Sequence, residues 1–296
     1  MSSGNGGAMR GSYHNHPGYC DGSGTVEEFV AAAQAAGLAA VGVSSHAPVP
    51  FTCSWTMTLE RFREYVADAR VVQERWRGSY PVWVGVELDY LDAELVPDGA
   101  AFQRAHVLSA QLDYAVVSLH FVGRDSEGQP WAVDESAESF AQQVDVVYGG
   151  NVRRLVEDYY RLMEHLAAWA QGLRIPVVVG HLDKVKQWNV GERYFREAES
   201  WYQEAVERAL FAIKRAEIPI EVNTAGLRRL IGAPYPGEWI LRRCWELGIP
   251  VTIGADAHQP ADVAAGFEEA SQLLRSVGYE ELLVLEQGRW QTVPLR

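Results

Sequence analysis

The stretch Ala36-Gly-Leu-Ala-Ala-Val-Gly-Val-Ser-Ser-His46 decides the fold, because it contains a glycine stop, a short apolar strand and a histidine in that order. Near the other end of the chain, Leu247-Gly-Ile-Pro-Val-Thr-Ile-Gly-Ala-Asp-Ala-His258 repeats this order. Gly37 is suited to end a helix, since the left-handed conformation costs least for glycine. A short apolar run without polar alternation is typical of a strand in a parallel sheet. We interpret the two stretches as repeated βα architecture.

Similar apolar runs occur along the chain, and long amphipathic segments separate them. Candidate strands end near Tyr13, Ser44, Val86, Leu119, Gly180, Asn223 and Gly254. Thr25-Val-Glu-Glu28 has the spacing of a capping box and predicts the start of the first helix. Further helices are predicted around Leu59–Trp76, Ala101–Ala110, Glu138–Gln171, Glu192–Ala216, Gly237–Leu247 and Pro260–Val277.

The alternation of strands and helices predicts an α/β protein with parallel strands. About seven such units favour a distorted (βα)7 TIM-like barrel. An open doubly wound sheet is the alternative, but no Gly-x-Gly-x-x-Gly motif follows the first strand to support a dinucleotide site. No linker divides the chain, so we expect one domain over residues 9–296. Residues 1–8 are rich in Ser and Gly and are expected to form a disordered extension, with Met9 as an alternative start.

The composition indicates an acidic globular protein, since the 296 residues are 48% hydrophobic and carry a net charge of −13. An acidic chain repels phosphate backbones, which disfavours broad nucleic-acid binding. Bound cations could still make one pocket locally positive. No apolar run is long enough to cross a membrane, and the N-terminus has no apolar signal-peptide segment. Cys20, Cys53 and Cys244 are too sparse for a disulfide framework, so we expect a cytoplasmic location.

Most of the histidines come just after a predicted strand, and acidic residues occupy similar places. The histidines are His14, His16, His46, His120, His181 and His258, and the acids are Asp21, Glu87 and Asp256. In a parallel barrel the carboxyl ends of the strands meet at one mouth, where active sites are built. A single histidine at a strand end is more often structural, but the joint pattern favours metal ligands. Nine such side chains exceed the needs of one tetrahedral ion, so we predict a multinuclear site. His106 and His165 lie inside helical segments and are interpreted as ordinary surface or boundary residues.

The motif near the N-terminus is the most specific. His14-Asn-His16 at a strand end directs both imidazoles to one side, since alternate residues of a strand point the same way. Asp21 alone could be a turn residue, because Asp-Gly pairs favour turns. Together, His14-Asn-His16-Pro-Gly-Tyr-Cys-Asp21-Gly resembles the first motif of the polymerase and histidinol phosphatase family. Its remaining motifs match, in order, Ser45-His46, Gly85-Val-Glu87, Ser118-Leu-His120, Gly180-His181-Leu-Asp183 and Gly254-Ala-Asp256-Ala-His258.

Two segments are similar to the histidinol phosphatases of that family. These are Glu221-Val-Asn-Thr-Ala-Gly-Leu-Arg228 and Ser118-Leu-His-Phe121 followed by Trp131. The resemblance implies an enzyme of histidine biosynthesis that hydrolyses L-histidinol phosphate to L-histidinol and phosphate, with three divalent ions of zinc, iron or manganese. By similarity, the first ion is held by His14, His16, Glu87 and Asp256, the second by Glu87, His120 and His181, and the third by Asp21, His46 and His258.

The hypothesis for the reaction is that a hydroxide bridging the first two ions attacks the phosphorus. Metal coordination can lower the pKa of water to about 7. Asp256 or His258 is the candidate proton donor to the leaving alkoxide. The expected partner is a small phosphorylated substrate, and the oligomeric state is left open.

Cationic side chains are also needed to bind the phosphate. Arg228 is the first choice, because a guanidinium matches phosphate bidentately. Arg229 competes with it, since a short loop could present either. Lys186 is the second candidate, and a solvated surface lysine is its alternative interpretation.

Three other functions are weighed against this one. The first is a phosphoesterase of the same family that acts on nucleotides or another small phosphate ester, which the acidic balance and the segment Asn223–Arg228 disfavour. A metal-dependent amidohydrolase also begins with His-x-His on a barrel. That class fits less well, because Glu87 follows the third strand here and Asp256 is paired with His258. A non-catalytic metal-binding module is disfavoured by the complete ligand set.

Overall fold

The computed structural model describes residues 10–295, so the predictions for residues 1–8 and Met9 lie outside the described residues. The α-helices are α1 (Val26–Ala35), α2 (Leu59–Arg75), α3 (Gly99–Ala110), α4 (Ala137–Gln142), α5 (Val152–Ala170), α6 (Ser200–Ala216), α7 (Glu238–Glu246) and α8 (Phe267–Val277). Short 3-10 helices span Gln171–Leu173, Lys184–Lys186, Val190–Glu192, Thr224–Arg228 and Pro260–Asp262, and a π-helix spans Gln143–Val147.

The strands form two parallel sheets and two hairpins. They are β1 (Gly11–Ser12), β2 (Ala40–Val43), β3 (Val82–Val84), β4 (Glu87–Asp89), β5 (Ala115–Ser118), β6 (Phe121–Arg124), β7 (Pro130–Ala132), β8 (Val177–Val179), β9 (Ile220–Asn223), β10 (Val251–Gly254), β11 (Glu281–Glu286) and β12 (Arg289–Pro294). One sheet has the order β1-β2-β3 and the other β10-β9-β8-β5-β4. Every pair within these two sheets is parallel. The predicted α/β fold with parallel strands is confirmed.

The two parallel sheets are connected at both sides. Only Gly85 and Val86 separate β3 from β4, so one continuous segment leaves the first sheet and enters the second. On the other side, a parallel bridge pairs Asn15, after β1, with Ala257, after β10. The backbone N–H of His16 donates to the Ala257 carbonyl over 2.8 Å. The segments that follow β1 and β10 are therefore neighbours.

The apolar strand residues face two different cores, which explains why the runs lack polar alternation. Val116 on β5 and its partner Val178 on β8 pack with Tyr13 and Tyr114 in a small inner cluster. Val117, the next residue on β5, instead faces the large cluster that includes the helices. Strands with apolar neighbours on both faces read as continuous hydrophobic runs.

The helices follow the predictions with three differences. The capping box of α1 is confirmed, since Thr25 Oγ1 accepts from Glu28 N over 3.2 Å and Glu28 Oε2 accepts from Thr25 N over 2.7 Å. The single helix predicted over residues 138–171 is wrong, because the backbone turns at Gly149 and Gly150, which have φ of +60° and +78°. Helix α6 begins eight residues later than predicted, at Ser200 rather than at Glu192, and α8 begins at Phe267 rather than at Pro260.

The sequence patterns did not reveal the two antiparallel hairpins, β6–β7 and β11–β12. The second hairpin packs on the inner cluster, where Trp290 Nε1 donates to the Val177 carbonyl over 2.8 Å. Its Leu285 N–H donates to the Tyr13 hydroxyl over 2.9 Å. At Val177 the hairpin contacts β8 at its first residue, so it lies away from the end of that strand. Within residues 10–295, no helix is both long and apolar enough to cross a membrane.

Candidate metal centre

All but one of the predicted ligands follow a parallel strand, and Glu87 lies at the start of β4, just after β3 ends. His14 and His16 follow β1, and the bridge between Asn15 and Ala257 sets them beside Asp256 and His258. The other members come from the loop after β1, from the start of β4 and from the residues after β2, β5 and β8: they are Asp21, Glu87, His46, His120 and His181. Seven of the nine are buried, and Asp21 and His258 are partly exposed. The structure brings all nine side chains into one cluster.

Glu87 lies at the centre of this cluster, and its two carboxylate oxygens face different histidines. Glu87 Oε2 lies 3.2 Å from His14 Nε2, 3.5 Å from His16 Nε2 and 2.8 Å from His46 Nδ1. None of these contacts has the geometry of a hydrogen bond, since Glu87 Oε2 has no hydrogen-bond partner.

The other oxygen, Glu87 Oε1, faces His181 and His120. Its distance is 3.0 Å to His181 Nε2 and 3.9 Å to His120 Nε2. Ser118 Oγ donates to the same oxygen over 2.6 Å and fixes the carboxylate. A carboxylate whose oxygens point into two groups of imidazoles has the arrangement needed to bridge two ions.

A third group of side chains lies at the edge of the cluster. Asp21 Oδ2 is 3.4 Å from His258 Nε2, and Asp21 Oδ1 is 3.8 Å from His46 Nε2. The His258 ring stacks on His16 at 4.3 Å between centroids. Asp256 Oδ1, 3.3 Å from His16 Nε2, connects this edge to the centre.

Unpaired buried atoms show that these residues fit metal ions. His14 Nε2, His16 Nε2, His46 Nδ1, Glu87 Oε2 and His181 Nδ1 are buried without a hydrogen-bond partner. A buried polar atom without a partner is costly, so such atoms are rare unless something else satisfies them. Imidazole nitrogens and carboxylate oxygens are ligands of zinc, iron and manganese.

The cluster contains three groups of side chains whose potential ligand atoms all lie within 4.8 Å of one another. They are His16 with Asp21, His46 and His258; His14 with His16 and Asp256; and His14 with Glu87 and His181. His120 belongs to none of these groups, although its ring lies 4.8 Å from that of His181.

The protonation states of His16 and Glu87 suit metal binding. Burial, together with the neighbouring rings of His258 and His46, lowers the pKa of His16 to about 3, so this imidazole is neutral. Burial alone would raise the pKa of Glu87, but His46 and His14 hold it well below its usual range. The carboxylate is therefore ionised. Neutral imidazole and ionised carboxylate are the forms that bind a metal.

Two buried carboxylates that the sequence analysis did not select orient the histidines. Glu221 lies 2.9 Å from His14 Nδ1, and Asp89 lies 2.8 Å from His120 Nδ1. A ligand histidine whose other nitrogen donates to a carboxylate is fixed in tautomer and orientation. Gly254 makes room for this, since a Cβ at that position would lie 1.7 Å from Glu221 Oε1. For both Glu221 and Asp89, the sequence signal that could have identified them is an acidic residue inside a buried strand.

Two of the nine residues have backbone conformations that favour glycine. Asp256 has φ of +50° and His181 has φ of +22°. Such conformations cost about 1–3 kcal/mol and cluster at functional sites. At both positions the turn directs the side chain into the cluster directly after a strand.

The cluster opens into a cavity of about 360 Å³, within the range of small-ligand sites. Six of the nine predicted ligands and His120's neighbour Trp55 line it, together with residues that the sequence did not assign to the site. The lining residues are Asp21, His46, Ser54, Trp55, His120, Asp134, Glu135, His181, Lys184, Arg229, Asp256 and His258.

Lys186, one of the two predicted phosphate ligands, does not line this cavity. Its Nζ lies 2.7 Å from Asp183 Oδ2 and its side chain is buried, so it is not a surface lysine either. The 3-10 helix at residues 184–186 directs Lys184 to the cavity instead. Lys184 Nζ lies 3.4 Å from Asp134 Oδ2 and 3.9 Å from Asp256 Oδ2.

The two neighbouring arginines also differ in position. Arg228 Nη2 donates to the Ala255 carbonyl over 2.7 Å, and its Nε lies 3.8 Å from Asp262 Oδ2. Arg228 is absent from the cavity lining, whereas Arg229 is part of it. Of the two arginines that the sequence left open, the structure places the second at the cavity.

Known proteins are similar to this chain in sequence and in fold. It is 31% identical over 268 residues to the "Probable histidinol-phosphatase" of Deinococcus radiodurans, which covers 90% of this chain and 92% of that protein. The fold is similar to the hisK protein of Listeria monocytogenes, with a TM-score of 0.76, 21% identity and coverage of 88% of this chain and 99% of that one.

It is also similar to histidinol phosphate phosphatase of Lactococcus lactis, solved in complex with zinc, L-histidinol and phosphate. The TM-score is 0.68 at 17% identity, with coverage of 96% of this chain and 99% of that one. At these identities the structural likeness concerns the fold. The sequence of residues 12–225 matches the PHP domain. Because this match spans more than half of the chain, the protein belongs to the PHP domain family.

Proposed function

We propose that this protein is a metal-dependent histidinol-phosphatase, which hydrolyses L-histidinol phosphate to L-histidinol and phosphate. The observation that carries the proposal is the cluster of imidazoles and carboxylates with unpaired buried atoms at a cavity that also contains Lys184 and Arg229. The Deinococcus relative, matched over 90% of this chain, supports the choice of substrate. Histidine biosynthesis would place the enzyme in the cytoplasm, and its three cysteines are free.

We propose that the parallel strands form one distorted seven-stranded barrel within a single domain of residues 9–296. The continuous segment through β3 and β4 and the bridge between Asn15 and Ala257 support this closure. The inner cluster around Tyr114 supports it as well, because a closed barrel has an apolar interior. In such a barrel the metal centre lies at the carboxyl-terminal mouth.

We propose three divalent ions in this centre. The ligands are His14, His16, Glu87 and Asp256 for the first ion, Glu87, His120 and His181 for the second, and Asp21, His46 and His258 for the third. The separate orientation of the two Glu87 oxygens supports its role as a bridge. Bound divalent ions lower the pKa of water to about 7 and neutralise charge on phosphoryl oxygens. Zinc is the first ion to test, since the Lactococcus structure contains it.

Arg229 and Lys184 bind the phosphate in this proposal. A guanidinium fork matches two phosphoryl oxygens, and an ammonium supplies a compact charge. The Lys184 side chain is only 2% exposed, so its ammonium group is largely shielded from bulk water. Low solvent access strengthens its attraction for the phosphate.

The leaving alkoxide needs a proton, and because His258 would bind the third ion through Nε2, we propose that His258 positions a proton-donating water and does not give up a ring proton. Asp256 is the other candidate. The His258 side chain is 33% exposed and that of Asp256 only 5%, so a leaving group at the cavity surface reaches His258 more easily. His258 Nδ1 donates to the Asp256 carbonyl over 3.1 Å, which orients the ring.

The proposal is tested by stripping the purified protein of metal and restoring zinc, manganese or iron separately. Phosphate release from L-histidinol phosphate is then compared with hydrolysis of a nucleotide diester. We expect turnover of the monoester only after metal is restored, and a much lower rate on the diester. A faster rate on the diester would indicate a nucleotide phosphoesterase, and metal binding without either activity would indicate a non-catalytic module.

A further inference from the structure

We infer that Glu135 binds the protonated amine of the substrate and makes the enzyme selective for phosphate monoesters that carry an amine. This inference rests on the proposed function and names the substrate class of the same site. Both cationic and acidic side chains line the cavity. Phosphate needs cations, and an amino-alcohol ester also needs an anion for its ammonium group.

The cavity contains one carboxylate that is held in place without being neutralised. Glu135 is exposed and lines this cavity together with Lys184 and Arg229, and it also lines the neighbouring cavity, to which Trp131 and Ser139 belong. Glu135 Oε2 accepts from Ser139 Oγ over 2.7 Å, and Ser139 Oγ accepts from Trp131 Nε1 over 2.7 Å. Trp131 is a buried side chain, so this chain of hydrogen bonds fixes the carboxylate against the body of the protein.

The other carboxylates of the cavity already have cationic or metal-binding partners. Asp134 is paired with Lys184, and Asp21 and Asp256 belong to the candidate metal centre. Among residues 10–295, Glu135 forms no ion pair within 4.0 Å, and its Oε1 accepts no hydrogen bond. Glu135 therefore supplies an oriented negative charge that the protein itself does not use.

A fixed carboxylate in a cavity prefers a ligand with a positive charge. Amines are protonated at neutral pH, and a charge-assisted hydrogen bond between ammonium and carboxylate is about twice as strong as a neutral one. With the phosphate at Lys184 and Arg229, Glu135 is a second charged group that lines the same cavity and is available to the amine of L-histidinol phosphate. An ester without the amine leaves Glu135 without a cationic partner.

The experiment compares Glu135→Gln with Glu138→Gln in the full-length, metal-loaded protein. Glu138 is an exposed carboxylate three residues away and does not line the cavity, so it is the matched control. The substrates are L-histidinol phosphate and the analogue in which hydrogen replaces the amine. A separate calorimetric titration measures the Kd of L-histidinol.

We expect Glu135→Gln to lower kcat/KM for L-histidinol phosphate about tenfold, mainly through KM, which is the effect of losing one charge-assisted hydrogen bond in a partly solvated site. The analogue should be hydrolysed as by the wild type, and the Kd of L-histidinol should rise about tenfold. Equal effects on both substrates, no effect on either, or the same effect in Glu138→Gln would overturn the inference. A wild type inactive on L-histidinol phosphate would instead refute the proposed function itself.

Discussion

Replacement of Glu221 by glutamine should weaken metal binding without changing any ligand. Every group that faces this carboxylate is a donor: His14 Nδ1 at 2.9 Å, the His181 N–H at 3.2 Å and Asn223 Nδ2 at 2.9 Å. A carboxylate accepts from all three, whereas a glutamine amide presents its own N–H₂ group to at least one of them. The variant thus loses a hydrogen bond and gains a donor that opposes another donor.

The size of the effect follows from the bond that is lost. A hydrogen bond to a charged group contributes about 1.5–3 kcal/mol, which corresponds to a change of about 10- to 150-fold in an equilibrium constant. Replacement of a carboxylate that is hydrogen-bonded to a ligand histidine typically changes metal affinity by about 10- to 100-fold. We therefore expect Glu221→Gln to bind zinc about 10- to 100-fold more weakly.

Equilibrium dialysis against zinc buffers measures this affinity, with Glu204→Gln, an exposed glutamate on α6, as the control. Excess zinc should restore most of the turnover, because the nine proposed ligands are unchanged. A zinc affinity equal to that of the wild type would refute the role of Glu221 in orienting His14. A loss of turnover that excess zinc does not restore would also contradict it.

Three further predictions concern the cavity and the metals. Arg229→Ala should lower kcat/KM for L-histidinol phosphate about 100-fold with metal content retained, and Arg228→Ala should have a much smaller effect. Steady-state kinetics and metal analysis check both variants. A larger loss of kcat/KM in Arg228→Ala would reverse the assignment. Lys184→Met should leave Asp134 without its cation and lower the free energy of unfolding by about 3 kcal/mol, because the Asp134 side chain is 20% exposed. Urea denaturation measures this loss, and unchanged stability would argue against this pair. Removal of metal that was present at about 1,000 times its Kd should lower the free energy of unfolding by about 4 kcal/mol, visible as a lower Tm, and an unchanged Tm would show that the ions do not bind preferentially to the folded state.

The metal ligands could be predicted from the sequence because their positions relative to the strands carry the information. Parallel strands place their carboxyl ends at one edge, so His14, Glu87 and Asp256 meet although they are far apart in the chain. The parallel strands were equally visible as short apolar runs. The hairpins β6–β7 and β11–β12 were not, because their strands follow one another without the intervening helix that marks a βα unit.

The sequence could not predict which cationic side chains face the cavity. Lys184 and Lys186 are two residues apart, and only the local 3-10 geometry decides that the first faces the cavity and the second pairs with Asp183. Arg228 and Arg229 are adjacent in a loop, whose conformation no periodic pattern specifies. The break at Gly149 and Gly150, by contrast, could have been predicted, since a glycine pair disfavours a continuous helix.

The central claim is that nine separated side chains hold divalent ions at one mouth of the strands. Anomalous X-ray scattering from crystals of the zinc-loaded protein tests it most directly. We expect three peaks inside the cluster, each about 2.0–2.3 Å from its ligand atoms, with one Glu87 oxygen next to each of two peaks. Ions bound elsewhere, or a loaded protein without a peak beside Glu87, would contradict the account.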